Sequence, residues 1–153
     1  MRRSIKCDDQ IEKKGVDLRK IIEIATSRRE ELVDITAEVE KMVAASGITE
    51  GLVALYAQGA TGAIMIQENW DDSVQSDVVD LLRRIIPRGV WQHDRQDGNG
   101  DSHLKAGLVG PSETIPVIGG RLGLSRWQNI FFCEFDGPRS RRPIVCTVLD
   151  SER

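Results

Sequence analysis

Residues 114–149, TIPVIGGRLGLSRWQNIFFCEFDGPRSRRPIVCTVL, decide the fold. Four short runs rich in Ile, Val, Phe and Leu (Thr114 to Ile118, Arg121 to Leu124, Asn129 to Phe135 and Ile144 to Leu149) are punctuated by Gly119-Gly120 and Gly137-Pro138. Separations of hairpin length predict antiparallel pairing. Upstream, Leu52 to Tyr56 and Ala63 to Ile66 read as two more strands, joined through Gln58-Gly59-Ala60-Thr61-Gly62. Such a small-residue segment brings backbone amides close to a ligand or simply turns the chain. Ile21, Ile22 and Ile24 form a β-branched strand that a turn through Ser27 to Glu30 returns toward Leu32 and Val33 as a hairpin.

Two helices interrupt the strands. Asp34 and Thr36 offer N-cap oxygens to a helix whose apolar positions Ile35, Val39, Met42 and Val43 recur at helical spacing until Gly47. A second runs from Ser73, with Val74, Val78, Leu81, Leu82, Ile85 and Ile86 inward and Pro87 ending it. Helices set irregularly among antiparallel strands predict an α+β fold, and no G-x-G-x-x-G or P-loop string argues for a dinucleotide-binding alternative. Residues 1–20 are charged and poor in apolar side chains, so they read as an N-terminal arm before a single domain spanning 21–153.

The formal net charge of −3 does not favour nucleic acid as a partner, and the basic patch Arg139, Arg141, Arg142 is too short to reverse that. No apolar run approaches the roughly 18 residues needed to span a bilayer, and Arg2-Arg3 is not followed by the apolar stretch of a signal peptide. A cytoplasmic protein without a membrane partner is the expectation. Cys7, Cys133 and Cys146 lack CxxC spacing, which points to free thiols rather than a disulfide framework or thiolate zinc site.

The 2 histidines, His93 and His103, share one short stretch with Asp94, Asp97 and Asp101. Imidazole is both a common borderline metal ligand and the side chain that titrates near neutrality, so the pair marks a candidate metal or acid/base site. Asp97 to Asp101 has EF-hand flavour, yet Ser102 stands where the loop needs Gly and Leu108 where it needs a bidentate Glu. Glu68 at a strand end, Asp101, and Glu134 are the candidate catalytic carboxylates. Arg139 beyond the Gly137-Pro138 turn offers a bidentate fork for phosphate, Lys105 a point charge, and Gly59 and Thr61 a loop to approach it.

Asp34-Ile35-Thr36, Gln67-Glu68-Asn69, His103-Leu104-Lys105, Gly110-Pro111-Ser112, Trp127-Gln128 and Glu134-Phe135-Asp136-Gly137-Pro138-Arg139, in this order, resemble the blocks of the YjbQ family, also called UPF0047. The resemblance covers roughly residues 21–150. It implies a small α+β fold with an antiparallel β-sandwich core, a homotrimer, and a secondary thiamine-phosphate synthase activity. The family typically carries Pro-His-Thr-Thr-Ala before its Asn-Glu block, and that histidine joins the other two. Here the aligned segment is Gln58 to Gly62, with Gly59 at the histidine position. Two imidazoles make an incomplete zinc shell, which a carboxylate such as Asp101, Glu68 or Glu134 would have to extend. Harder oxygen ligands would shift preference toward manganese or magnesium.

Three readings follow. The first is displacement of pyrophosphate from an activated hydroxymethylpyrimidine by a thiazole-phosphate nitrogen, with a divalent metal, Lys105 and Arg139 offsetting charge on the leaving group. Hydrolysis of a phosphate ester is the second, using metal-bound water with Glu68 or Asp101 as base. Under the third, the chain is a non-catalytic trimer that binds a small phosphorylated metabolite or a metal. His93 and His103 are expected to converge on one pocket.

Overall fold

The computed structural model describes residues 17–151. Eight strands form two antiparallel sheets, and three α-helices cover or plug them. The strands are β1 (Leu18–Ile24), β2 (Glu31–Asp34), β3 (Glu50–Ala57), β4 (Gly62–Glu68), β5 (Ser112–Ile118), β6 (Arg121–Leu122), β7 (Gln128–Glu134) and β8 (Arg142–Asp150). The helices are α1 (Thr36–Ser46), α2 (Asp72–Ile85) and α3 (Gly100–Val109), with a 3-10 turn over Gln92–Arg95. A five-stranded sheet runs β1-β8-β3-β5-β6 and a three-stranded sheet β2-β7-β4. Of the expected N-terminal arm, residues 1–16 lie outside the described residues and Leu18 to Lys20 already belong to β1.

Period-two alternation places Val53, Leu55, Ile115, Val117, Ile144, Cys146 and Val148 on the inner face of the larger sheet, against Ile64, Ile130 and Phe132 of the smaller. Each fully buried Ile or Phe contributes on the order of 1.5–3 kcal/mol, so this seam is the main apolar term in the fold. Helix α1 seals one open margin of the sandwich through Val39, Met42 and Val43. Its first turn is held by Asp34, whose Oδ1 accepts from the Thr36 amide at 2.9 Å, and Gly47 ends it at φ 66°.

The outer face of the smaller sheet carries Ala63, Cys133 and Phe135, on which Leu82 of α2 and Ala106 of α3 pack. Among the described residues, the outer face of the larger sheet has no such cover. Leu52, Tyr56, Ile118 and Leu149 stand 45%, 51%, 59% and 41% exposed there.

Three expectations need correction. The anticipated hairpin between the first two strands does not form: β1 pairs with β8 and β2 with β7, so the turn at Ser27 to Glu30 carries the chain from one sheet to the other. Leu81 and Ile85 face outward, because α2 lies on the sheet edge with only Leu82 and Ile86 buried and Val78 partly so. Residues 100–109, outside both helices read from the sequence, form α3. Its inward face is polar, with Asp101, Ser102 and Lys105 buried beside Ala106, while Leu104 and Leu108 are exposed, so apolar periodicity points away from the true packing face.

Gly51 on β3 has no room for a side chain, since a Cβ there would sit 2.0 Å from the Leu149 carbonyl oxygen across the ladder. Gly107 meets nothing within 4 Å inside α3. Gly51→Ala is therefore expected to cost at least about 1–3 kcal/mol in urea unfolding. Gly107→Ala should stabilise the same protein by about 0.5–1 kcal/mol.

Candidate functional site

Helix α3 is drawn onto the protein by charge. Lys105 is 1% exposed, and its Nζ lies 2.5 Å from Glu30 Oε1 and 2.8 Å from Asp101 Oδ2, one turn back on α3. Asp101 in turn accepts from Arg29 Nη2 at 3.0 Å, Arg29 Nη1 approaches Asp136 Oδ1 at 3.3 Å, and Asp136 Oδ2 accepts from Arg139 Nη2 at 2.8 Å. At the other end Arg83 of α2 holds Glu30 at 2.6 Å. The alternating row of seven charges links α2, the β1–β2 turn, α3 and the turn after β7. Removing one partner of such a buried pair costs about 3–5 kcal/mol, because the survivor is left unpaired away from water.

Beside this row lies a second buried group. Glu134, 0% exposed at the end of β7, is gripped by Arg142 through Nε at 2.8 Å and Nη2 at 2.5 Å. It also accepts from Thr26 Oγ1 and from the Asp136 amide, each at 2.9 Å. Every oxygen of this carboxylate is occupied. Thr61, buried in the β3–β4 loop, accepts from Arg142 Nη2 at 2.9 Å through Oγ1. Gly59 of the same loop is exposed, and the space its side chain would fill faces Arg142 Nη1 at 3.5 Å.

The two histidines do meet. Their ring centroids are 4.7 Å apart with planes at 87°, edge to face, His93 on the 3-10 turn and His103 on α3. Asp94 builds the junction, accepting the Trp91 amide at 2.9 Å and the Gly100 amide at 2.8 Å. Those two backbone bonds hold its carboxyl below the usual range. Asn99 ties the turn to Asp136 at 2.9 Å, and Ser102 Oγ donates to the Phe135 carbonyl, so α3 is registered on the strand end that bears Glu134. His93 Nε2 is buried without a hydrogen-bond partner, its nearest acid being Asp97 Oδ2 at 3.4 Å. A cleft of about 380 Å³ lies beside the 3-10 turn, lined by Gly89, Val90, Trp91, Gln92, Asp94 and Arg95 and by neither histidine.

The fit to a metal is poor. Among the described residues no group of three or more His, Cys, Asp or Glu side chains is placed to hold an ion, and two imidazoles fall short of the usual three protein ligands of catalytic zinc. Cys133 and Cys146 are buried thiols pushed up to about 12 and about 11 by burial, hence protonated and unreactive. Cys7 lies outside the described residues.

The predicted site residues thus divide. His93 and His103 adjoin one another; Asp101, Lys105, Glu134, Thr61, Gly59 and Arg139 gather around the ends of β4 and β7 and the start of α3. Lys105 and Glu134 are spent on internal partners, so neither has a free face for phosphate or proton transfer. Glu68 is not part of this cluster. It pairs with Gln128 at the far end of β4, six residues from Gly62 opposite Glu134, or about 20 Å at roughly 3.4 Å per residue. Arg29, Glu30 and Arg142 were missed; nothing in spacing marks charged residues whose partners are remote in sequence.

A small α+β sandwich with a paired-histidine turn docked by buried ion pairs defines the class. A family model described as UPF0047 protein YjbQ-like matches residues 20–151, and the chain belongs to that family. A UPF0047 protein of Methanocaldococcus jannaschii is 43% identical over 128 residues, covering 84% of this chain and 92% of its own length. The Bacillus subtilis UPF0047 protein YugU is 42% identical over 125 residues, 80% of this chain and 92% of that protein. Among solved structures, a YbjQ-like protein of unknown function from Sulfolobus solfataricus superposes with TM-score 0.85 at 35% identity, covering 89% of this chain and 99% of the other. A hypothetical protein from Aeropyrum pernix gives 0.82 at 34%, covering 88% and 99%.

Burial raises the Glu30 carboxyl, but Lys105 and Arg83 outweigh it and hold the group below its ordinary 4.5. A depressed acid contributes stability above its unfolded pKa and loses it as pH falls through the folded one. Glu30→Gln should therefore be less stable than the parent at pH 7, and its stability should fall less steeply than the parent's as pH drops below about 4.5. Denaturant midpoints measured from pH 3 to 7 check this.

Proposed function

We propose that this chain is a homotrimeric transferase of the secondary thiamine-phosphate synthase type, acting on a small substrate activated by pyrophosphate. The single observation that carries the reading is the edge-to-face contact of His93 and His103, with His93 Nε2 buried, without a hydrogen bond and 3.4 Å from Asp97 Oδ2. An unpartnered buried polar atom calls for a ligand atom to satisfy it. In the reaction the thiazole nitrogen attacks the methylene carbon of the activated pyrimidine; a C–N bond forms, the C–O bond breaks, and pyrophosphate leaves with the electron pair. The histidines donate hydrogen bonds to the departing oxygens. Arg139, 50% exposed and paired with Asp136, adds positive charge for the same anion. Positioning and charge stabilisation do the work, and the nucleophile needs no general base.

One observation weighs against phosphate-ester hydrolysis and leaves a non-catalytic binder as the second reading. Asp101 and Glu134 are both fully engaged, so the cluster offers no free carboxylate for hydrolysis. A coupled assay for thiamine phosphate separates the readings. The parent should turn over, and His103→Ala should lower kcat by about 10²-fold or more, in the range of a lost transition-state donor. A folded parent with no turnover would leave the binding protein standing.

The uncovered face of the larger sheet supports the trimer, because contiguous exposed apolar surface of this kind marks an association site. Sedimentation equilibrium should give a trimer for the parent and a monomer for Leu52→Glu/Tyr56→Glu. A parent monomer at micromolar concentration would contradict the assembly.

A further inference from the structure

We propose that Arg142 is an anion-binding group at the β3–β4 loop, presenting Nη1 to a phosphate or pyrophosphate oxygen in the space beside Gly59, without a metal. The inference deepens the reading above and rests on it for the ligand being phosphorylated. Gly59 is not in the left-handed region, so its backbone places no demand for glycine. What lies beside it is Arg142 Nη1, at 3.5 Å from the Cβ position and alone within 4 Å, and otherwise the space is open.

The guanidinium is only 11% exposed and cannot wander: Glu134 takes Nε and Nη2, and Thr61 Oγ1 also accepts from Nη2. Among the described residues that leaves one nitrogen of the fork, Nη1 with its two N–H groups, without a hydrogen bond and 3.5 Å from the Gly59 Cβ position. Among the described residues the backbone amides of Gly59, Ala60 and Thr61 donate to no acceptor, so three further N–H groups stand in the same short segment. A fixed guanidinium beside successive free amides is the donor set that oxyanions take. Guanidinium also repels a cation.

Arg142 cannot simply be deleted, because Glu134 would be left buried and unpaired. Gly59→Asp avoids this by placing a competing carboxylate against Nη1 from an exposed loop, and Gly59→Ala serves as its steric control. The measurement is calorimetric titration of the full chain with inorganic pyrophosphate in excess EDTA. We expect binding by the parent and by Gly59→Ala, at least tenfold weaker binding by Gly59→Asp, and a similar loss in Arg142→Lys where it folds. Absence of binding by the parent in EDTA, or equal affinity in a folded Gly59→Asp, overturns the proposal. Pyrophosphate binding without thiamine phosphate formation would strike the transferase reading alone and leave this site intact.

Discussion

The burial of Lys105 between Glu30 and Asp101 is the constraint on which the rest of the site depends. An ammonium group at 1% exposure is tolerable only with paired charges around it. Those partners come from the β1–β2 turn and from α3 itself, so the pairing fixes where the helix sits and which way it faces. Arg83 and Arg29 extend the same logic to α2 and to the turn after β7. A hydrophobic contact would hold α3 on the sheet but would allow it to slide. Ion pairs at 2.5 to 3.3 Å leave far less latitude.

Because α3 is fixed by its polar face, the groups that flank that face are fixed with it. His103 is one residue beyond Ser102, whose hydroxyl is bonded to Phe135, and His93 is brought against it by the Asp94 bonds to Trp91 and Gly100. On the adjoining strand ends, the Glu134 and Arg142 pair plays the corresponding part for the β3–β4 loop through Thr61. The architecture therefore spends its acids on holding cations in place. Chemistry left to the pocket is the chemistry of N–H donors, a setting suited to anionic ligands.

Much of the sandwich was legible because its strands are short β-branched and aromatic runs bounded by turn residues: β3, β5 and β8 alternate and bury one face, while β4 and β7 are apolar on both. Strand partners were less legible, since the turn at Ser27 to Glu30 looks like a hairpin and only the larger assembly shows it crossing between sheets. Helix α3 was hidden by its inverted pattern, with leucines outward and Asp101 and Lys105 inward. Clustering in sequence did reveal the histidine pair. The ion row could not be read, because Arg29 and Asp101 are 72 residues apart and Lys105 and Glu30 are 75 apart.

The pairing of β1 with β8 has a consequence for how the chain is made. Strand β8 lies between β1 and β3, so the larger sheet has a gap at its centre until the last strand has been synthesised. A nascent chain therefore waits on the ribosome with β1 unpaired and one edge of β3 open. Closing the sheet then joins Leu18 to Val148 across almost the whole described length, an entropically costly loop closure that slows folding and lengthens the window for edge-to-edge aggregation. Arg19, Lys20 and Glu23, exposed along the waiting strand, place charge where that hazard is greatest.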